Sequence, residues 1–468
     1  MKVEILKESD IPAHLQVLNQ IKKALLSEQS AVTELLIDTK NASAVLGIDQ
    51  TVLEKALRQL EFQGLVRRKT EKSFTLNSDA NANRYSARGV SSDKKEVHEV
   101  VDSLDRGLFP GAFCKITQDY LTGRKEYCNL THSDGAGTKS IVAYLHYKET
   151  GDASVFRGIA QDSIVMNLDD LICSGVSSSI LLSSTINRNA INCPQEIIQE
   201  IILGSEEFLQ SVRDLGINVR SGGGETADVG DLTGTVIVDS CATAIMERKQ
   251  VVLNNISEDL VILGLSSTGR SKYEMEENSG IGSNGLTSAR HELLSKIYKE
   301  KYPETTDFNV DPALTYCGIY RLDDELPGSS MTIGSALLSP TRTYAPLVIA
   351  LRKLLGKNIK ALVHCSGGGQ TKCLHFGKKI HFIKDNLFEI PPLFKAIKEQ
   401  SKVSWEEMYK TFNMGHRMEI YLPYECAEEA ISVADTFQIK AKIVGHTERS
   451  EKNRLTLINN TKEVFSYC

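Results

Sequence analysis

The sequence has no excess of positive charge: 54 Lys and Arg stand against 60 Asp and Glu, a formal net charge of −6. That excludes a general electrostatic pull toward nucleic acid or an anionic membrane surface. No uninterrupted apolar run reaches the roughly 18–20 residues of a membrane span. The best stretch, Ile164 to Leu182, is broken by Asp169 and Asp170. The first 30 residues are charged and contain no secretory apolar core, so a cytoplasmic location is expected. None of the 10 cysteines forms a C-x-x-C pair. That speaks against a zinc site and for reduced thiols used as small core residues. No P-loop of the G-x-x-x-x-G-K-[ST] type occurs either. What is present is a globular composition, 41% hydrophobic and 24% charged over 468 residues, enough chain for two or three domains.

Residues 1–80 read as a small separate domain. Helical stretches are expected at 13–27 and 30–37, then a short helix from Asn41 to Ile48 ending near Gly47. A longer helix follows from Asp49 or Thr51, where Thr51 and Glu54 have capping-box spacing. Its apolar face is Leu53, Ala56, Leu57 and Leu60, with Gly64 as the stop. A hairpin from Val66 to Leu76 with a charged tip completes a winged-helix-like order. Eleven Lys and Arg against eleven Asp and Glu over residues 1–80 leave no basic face for DNA. A docking or dimerisation module is the expectation. After a polar linker at Ser78 to Arg84, two larger regions alternate strands and helices, about 85–247 and 258–468. In the first, strands are expected at 127–131, 233–237 and 242–246, and helices at 163–173 and 195–212. The fold class expected is α/β (α+β).

Four clusters carry chemistry. Ser133 to Lys139 joins two glycines, which let backbone amides face an anion, to Asp134 and Lys139. Asp134 suits Mg²⁺ and Lys139 suits phosphate. Asp162, Asp169 and Asp170 lie in an apolar helix with no neighbouring Lys or Arg, so a divalent cation is their natural neutraliser. Gly222-Gly223-Gly224-Glu225 suggests close backbone approach to a ligand, and a plain loop is the alternative. His364 to Gly369 ends a strand, the place where ligands bind in such sheets. His364 there is an acid, a base, a polariser or a satisfied structural histidine. Arg342 suits bidentate phosphate contact.

In this order the pieces resemble the phosphoribosylformylglycinamidine cyclo-ligase, or AIR synthetase, family over about 85–468. D-G-x-G-T-K is matched by Asp134–Lys139, and the metal-helix aspartates by Asp162 and Asp170. G-G-E-T-A is matched by Gly223–Ala227 and S-N-G by Ser283–Gly285. P-T-R-x-Y, H-x-x-G-G-G and N-M-G are matched by Pro340–Tyr344, His364–Gly369 and Asn413–Gly415. Three departures mark a divergent branch: Asp169-Asp170 where the family often has Asn-Asp, Gly175-Val176-Ser177 for Gly-Ala-Pro, and His416-Arg417 for small residues.

The resemblance implies a two-domain fold behind the 1–80 module, with ATP binding in 85–247 and a C-terminal domain in 258–468. It implies ATP-dependent closure of formylglycinamidine ribonucleotide to aminoimidazole ribonucleotide, in a homodimer using Mg²⁺ and ATP. Asp134, Asp162, Asp170 and Glu225 would hold the metal. Lys139 and Lys115 would meet phosphate, and His364 would orient or polarise the substrate. Gly135, Gly137, Thr138, Gly223, Gly224, Asn284, Arg342, Gly367 and Gly368 would line the nucleotide and substrate cradle. Membrane and nucleic acid are not expected partners. Other members of the superfamily remain alternatives: thiamine-phosphate kinase, selenophosphate synthetase and a hydrogenase maturation protein, whose terminal cysteine Cys468 matches only by coincidence, since Phe465-Ser466-Tyr467 lacks the proline and arginine that family places before it. So does a nucleotide-sensing DNA-binding regulator.

Overall fold

The computed structural model describes residues 11–27, 36–62, 66–76, 84, 86–90, 100–101 and 103–468. The chain forms two compact units, Met1–Ser92 with Phe308–Thr315, and Asp93–Asp307 with Tyr316–Cys468.

The smaller unit contains α1 (Ala13–Ser27), β1 (Leu36–Asp38), α2 (Thr39–Leu46), α3 (Gln50–Phe62), β2 (Val66–Thr70) and β3 (Ser73–Leu76). The strands form a sheet in the order β1-β3-β2. Gly47 ends α2 at φ +64°, a conformation that favours glycine. The amphipathic pattern of α3 does what it predicts: Leu53, Ala56, Leu57 and Leu60 are buried against Val17, Leu18, Ile21, Val66 and Phe74. Two expectations change. Asp49, rather than a Thr51–Glu54 box, caps α3; its Oδ1 accepts from the amides of Thr51 (2.8 Å) and Val52 (3.3 Å). Residues 36–38 are strand, not helix, because they pair antiparallel with Ser73–Thr75. Residues 30–35, Gly64 and 78–83 lie outside the described residues.

The larger unit holds two sheets. The first has the order β4-β5-β8-β6-β7, from β4 (Ile116–Gln118), β5 (Tyr127–Gly135), β6 (Ile180–Arg188), β7 (Val219–Asp228) and β8 (Val236–Glu247). One strand, β8, replaces the two expected at 233–237 and 242–246. Its buried side chains alternate without a break from Val236 through Ser240 to Met246, so the polar Asp239-Ser240-Cys241 does not interrupt it. The second sheet has seven strands, with β9 (Val261–Ser266) between β12 (His416–Leu422) and β13 (Ala441–Arg449), and β10 (Ala361–His364) at one edge. Three helices follow β5 and β6: α4 (Lys139–Thr150), α5 (Phe156–Cys173) and α6 (Gln195–Asp214). Helix α5 is buried along most of its length. Its Ile164, Leu168 and Leu171 share one core with Leu130 of β5 and with Leu263, Leu265 and Leu347. The mixed helix and sheet architecture is that of the expected α/β (α+β) class.

The second sheet encloses charge. Lys384 Nζ and Glu419 Oε1 meet at 2.5 Å, both unexposed, and Tyr421 donates to Glu419 Oε2 at 2.7 Å. Burial alone would raise the Glu419 pKa; the Lys384 ammonium and the His416 hydrogen bond outweigh it and bring it to about 2. The unfolded value is about 4.3. The pair's contribution is therefore complete above pH ~4.3 and is lost as pH falls through about 2. Glu419→Gln strands a buried ammonium and should cost about 3–5 kcal/mol. Urea unfolding at pH 7 measures that loss, and the wild-type protein alone should then lose this increment on acidification.

Candidate active site

Five of the glycine-bearing or polar segments adjoin. Thr138 Oγ1 meets Thr287 Oγ1 at 2.8 Å, and Ser283 Oγ meets Thr341 Oγ1 at 2.9 Å. A Cβ on Gly137 would stand 4.0 Å from Ser283 O, and one on Gly367 would stand 3.9 Å from Asn284 Nδ2. Asn413 Nδ2 donates to Gly280 O at 2.8 Å. The segments at 134–139, 282–285, 340–344, 364–369 and 413–417 thus form one junction at the ends of β5 and β10. Gly137 (φ +59°) and Gly368 (φ +90°) take left-handed backbone, and a Cβ at either would make only ordinary van der Waals contact, at 3.9–4.0 Å. Open backbone of this kind is suited to an anion. Gly369 differs: a Cβ there would lie 2.5 Å from Phe412 O, so its absence serves packing.

Two expected phosphate ligands are committed elsewhere. Lys139 Nζ lies 2.9 Å from Asp162 Oδ1 with both side chains unexposed, and donates to Ser339 O at 2.5 Å. Burial pushes its pKa down against the pull of Asp162. The same Asp162 oxygen accepts from Thr341 N (2.7 Å) and Thr341 Oγ1 (2.6 Å). The counter-charge at Asp162 Oδ1 is therefore a lysine 23 residues away in sequence, while Oδ2 is buried with no partner among the described residues. Arg342 is spent on Glu274 and on the carbonyls of Ser266, Thr268 and Gly269. Asp169 shares the Asp162 face but is held by Thr343 Oγ1 (2.6 Å) and Tyr344 N. Lys115 is half exposed and stands 3.3 Å from Asp105.

Asp170 points the other way. Its Oδ1 lies 2.6 Å from His364 Nδ1 and its Oδ2 lies 3.3 Å from His132 Nε2. A carboxylate only accepts, so His364 Nδ1 carries the proton toward it, and Nε2 is the free end of the ring. That Nε2 is buried and has no hydrogen-bond partner among the described residues. Burial pushes the neighbouring Cys365 thiol well above its usual range, which leaves it no nucleophile.

The four expected metal carboxylates do not form one set. Among the described residues, no group of three or more His, Cys, Asp or Glu is placed to hold a metal ion. Both oxygens of Asp170 and Oδ1 of Asp162 are engaged as described. Glu225 lies on the edge strand β7 opposite Thr185, and Gly224 packs so tightly that a Cβ would meet Ser184 O at 2.2 Å. Gly223, at φ +86°, faces open space on the same exposed strand. Asp134 and Asp239 have no ion pair among the described residues; Asp134 Oδ1 accepts from Gly135 N at 2.7 Å, and Asp239 lies over Gly135. Burial of its carboxyl and then the Asp170 charge raise the pKa of Asp134; burial and then the Asp134 charge raise that of Asp239. Mg²⁺ is commonly held by one or two carboxylates and substrate phosphates; Asp134, and Asp239 whose carboxyl feels the Asp134 charge, are the acids that could serve such an ion. Asp239 was missed in the sequence, though the pairing of β8 with β5 sets it opposite Gly135. His132 and Asn167 were missed too, since neither lies in a glycine motif.

A separate cavity of about 980 Å³ is lined by Arg157, Gln161, Glu274 and Arg342 among others, and His364, Asp170 and Asp134 do not line it.

Residues 120–246 match the model for the AIR synthase related protein, N-terminal domain, and residues 257–458 that for the C-terminal domain. The phosphoribosylformylglycinamidine cyclo-ligase of Methanococcus vannielii is 30% identical over 324 residues, 69% of this chain and 78% of that protein. Its namesake in Methanocaldococcus jannaschii is 28% identical over 322 residues, 68% of this chain and 78% of that protein. A solved HypE–HypF complex is similar at 13% identity and TM-score 0.46, over 80% of this chain and 98% of that one, too distant to build on. On the matched domains and the relatives' extent, the chain belongs to the AIR synthase related family and is an ATP-dependent ligase enzyme.

Proposed function

We propose that the protein closes formylglycinamidine ribonucleotide to aminoimidazole ribonucleotide, converting ATP to ADP and phosphate. The observation that carries this reading is the buried, unpartnered Nε2 of His364, fixed by Asp170 where the glycine segments adjoin. The reaction needs positioning and charge neutralisation rather than a protein nucleophile. The γ-phosphoryl bond to the β-phosphate oxygen breaks as a bond to the formyl oxygen forms. The ribose-bearing nitrogen then attacks the formyl carbon, the carbon–oxygen bond breaks, and phosphate departs with that oxygen. Two protons leave nitrogen, the formamide proton to the medium as the formyl oxygen is phosphorylated and the ribose-bearing nitrogen's proton to His364 Nε2, whose partner Asp170 stabilises the imidazolium; a methylene proton then moves to the imine nitrogen to give the aromatic amine.

The open backbone of Gly137, Gly367 and Gly368 supplies amides to phosphate. Gly135 and Thr138 shape the triphosphate segment, and Asn284 borders the acceptor side. Asp134 and Asp239 would hold Mg²⁺, which neutralises triphosphate charge when bound. In this reading 85–247 is the nucleotide-binding half, 258–468 the acceptor half, and the setting is cytoplasmic. A second copy would cover the exposed strand β7 in a homodimer, bringing Gly223, Gly224 and Glu225 into use. Residues 1–80 are a winged-helix-like docking module.

Two measurements test this. Inorganic phosphate should appear from ATP and Mg²⁺ only when formylglycinamidine ribonucleotide is added, with one aminoimidazole ribonucleotide per phosphate; ATP hydrolysis without ring closure would refute it. Deleting residues 1–80 should leave turnover near that of the full chain, because every residue given a role lies beyond them. A well-folded but inert truncation would overturn that independence.

A further inference from the structure

A run of polar contacts, three hydrogen bonds and one histidine–carboxylate ion pair, joins the triphosphate segment to His364. Asn167 Nδ2 donates to Asp134 O (3.1 Å), and Asn167 Oδ1 meets His132 Nδ1 (2.9 Å). His132 Nε2 lies 3.3 Å from Asp170 Oδ2, an ion pair when the ring carries both protons, and Asp170 Oδ1 accepts from His364 Nδ1 (2.6 Å). The direction of the middle joint is fixed. Asn167 Nδ2 also points at Ser163 O (3.1 Å) and Ser240 O (3.0 Å), acceptors only, so Oδ1 faces His132 and His132 Nδ1 must donate. On β5, His132 lies two residues before Asp134, on the same strand face, while Asn167 and Asp170 lie three apart on α5. One strand and one helix therefore hold both ends.

We propose that His132 is a positioning residue. Through Asn167 and Asp170 it transmits nucleotide binding at 134–139 to the orientation of His364. A shift of the Asp134 main chain alters the Asn167 amide, which turns the His132 ring and changes its hold on Asp170. Asp170 would otherwise keep only one of its two histidine partners. Loss of His132 leaves Asn167 Oδ1 and Asp170 Oδ2 without these partners, and buried groups in such a network act together rather than independently. The inference rests on the reading that nucleotide binds at 134–139, and it places no part of the chemistry on His132 itself.

The test uses the full-length protein labelled with ¹⁵N-histidine, the His364 signals being those lost in His364→Asn. A non-hydrolysable ATP analogue with Mg²⁺ is added, and its binding is followed in parallel by calorimetry. His364 should shift in the wild type on nucleotide binding. His132→Asn keeps an amide at the Nδ1 position and loses the Asp170 joint; His132→Gln keeps the Asp170 joint and loses Asn167. Both should bind nucleotide, melt near the wild-type temperature and lose the His364 response. In turnover each should lower kcat about tenfold with little change in acceptor KM, and lower it no further in a His364→Asn background. A full His364 response in either nucleotide-bound variant would overturn the relay. So would a wild-type His364 that ignores bound nucleotide, or equal kcat losses with and without His364. Absence of nucleotide binding to the wild type would sink the underlying reading together with the relay. Binding and response without ring closure would sink only the assigned reaction.

Discussion

Replacing His364 by asparagine should lower kcat by roughly 10²–10⁴-fold, the range for a positioned proton acceptor, while the protein remains folded. Asparagine keeps an amide hydrogen bond to Asp170 and removes the basic Nε2. That separation is needed because His364 is unexposed and alanine would also open a cavity. Nε2 is buried and has no hydrogen-bond partner among the described residues, so its removal breaks no described hydrogen bond. The loss should fall on kcat, with a smaller change in the KM for formylglycinamidine ribonucleotide, because the proton moves only as the ring closes. Steady-state kinetics with a thermal melt settles the matter. A folded variant with near-wild-type kcat would remove His364 from the chemistry.

Asp134→Asn should reduce turnover more than ~100-fold and raise the Mg²⁺ concentration for half-maximal rate, as expected when aimed charge is removed from a developing anion. Asp239→Asn should act in the same direction. The structure sharpens this through contrast. Asp162→Asn removes the counter-charge of buried Lys139 and should instead cost about 3–5 kcal/mol of stability. Magnesium titrations and urea unfolding on the three variants separate the two behaviours. If Asp162→Asn weakens magnesium dependence without loss of stability, or Asp134→Asn turns over normally, the assignment of carboxylates made here is wrong.

Much of this was legible from sequence because it rests on local periodicity. The buried face of α3, the strand that His364 ends and the helix expected over 195–212 follow directly from apolar spacing. Family motifs marked the segments that come to adjoin. The rest depends on partners distant in the chain. Asp162 looked like a metal ligand because no lysine stands near it in sequence, yet Lys139 reaches it through the packing of α4 against α5. Arg342 looked like a phosphate ligand until Glu274, 68 residues away, claimed it. His132, Asn167 and Asp239 carry no motif and gain meaning only when β5, β8 and α5 are packed together. The carboxylates that seemed to need an ion were partly neutralised by residues that sequence proximity does not reveal.

The transfer of oxygen tests the central claim most directly. Formylglycinamidine ribonucleotide carrying ¹⁸O in its formyl group, turned over with ATP by the purified full-length protein, should deliver that ¹⁸O into inorganic phosphate, one atom per aminoimidazole ribonucleotide formed. Phosphate free of the label, with ring closure or without it, would contradict the account.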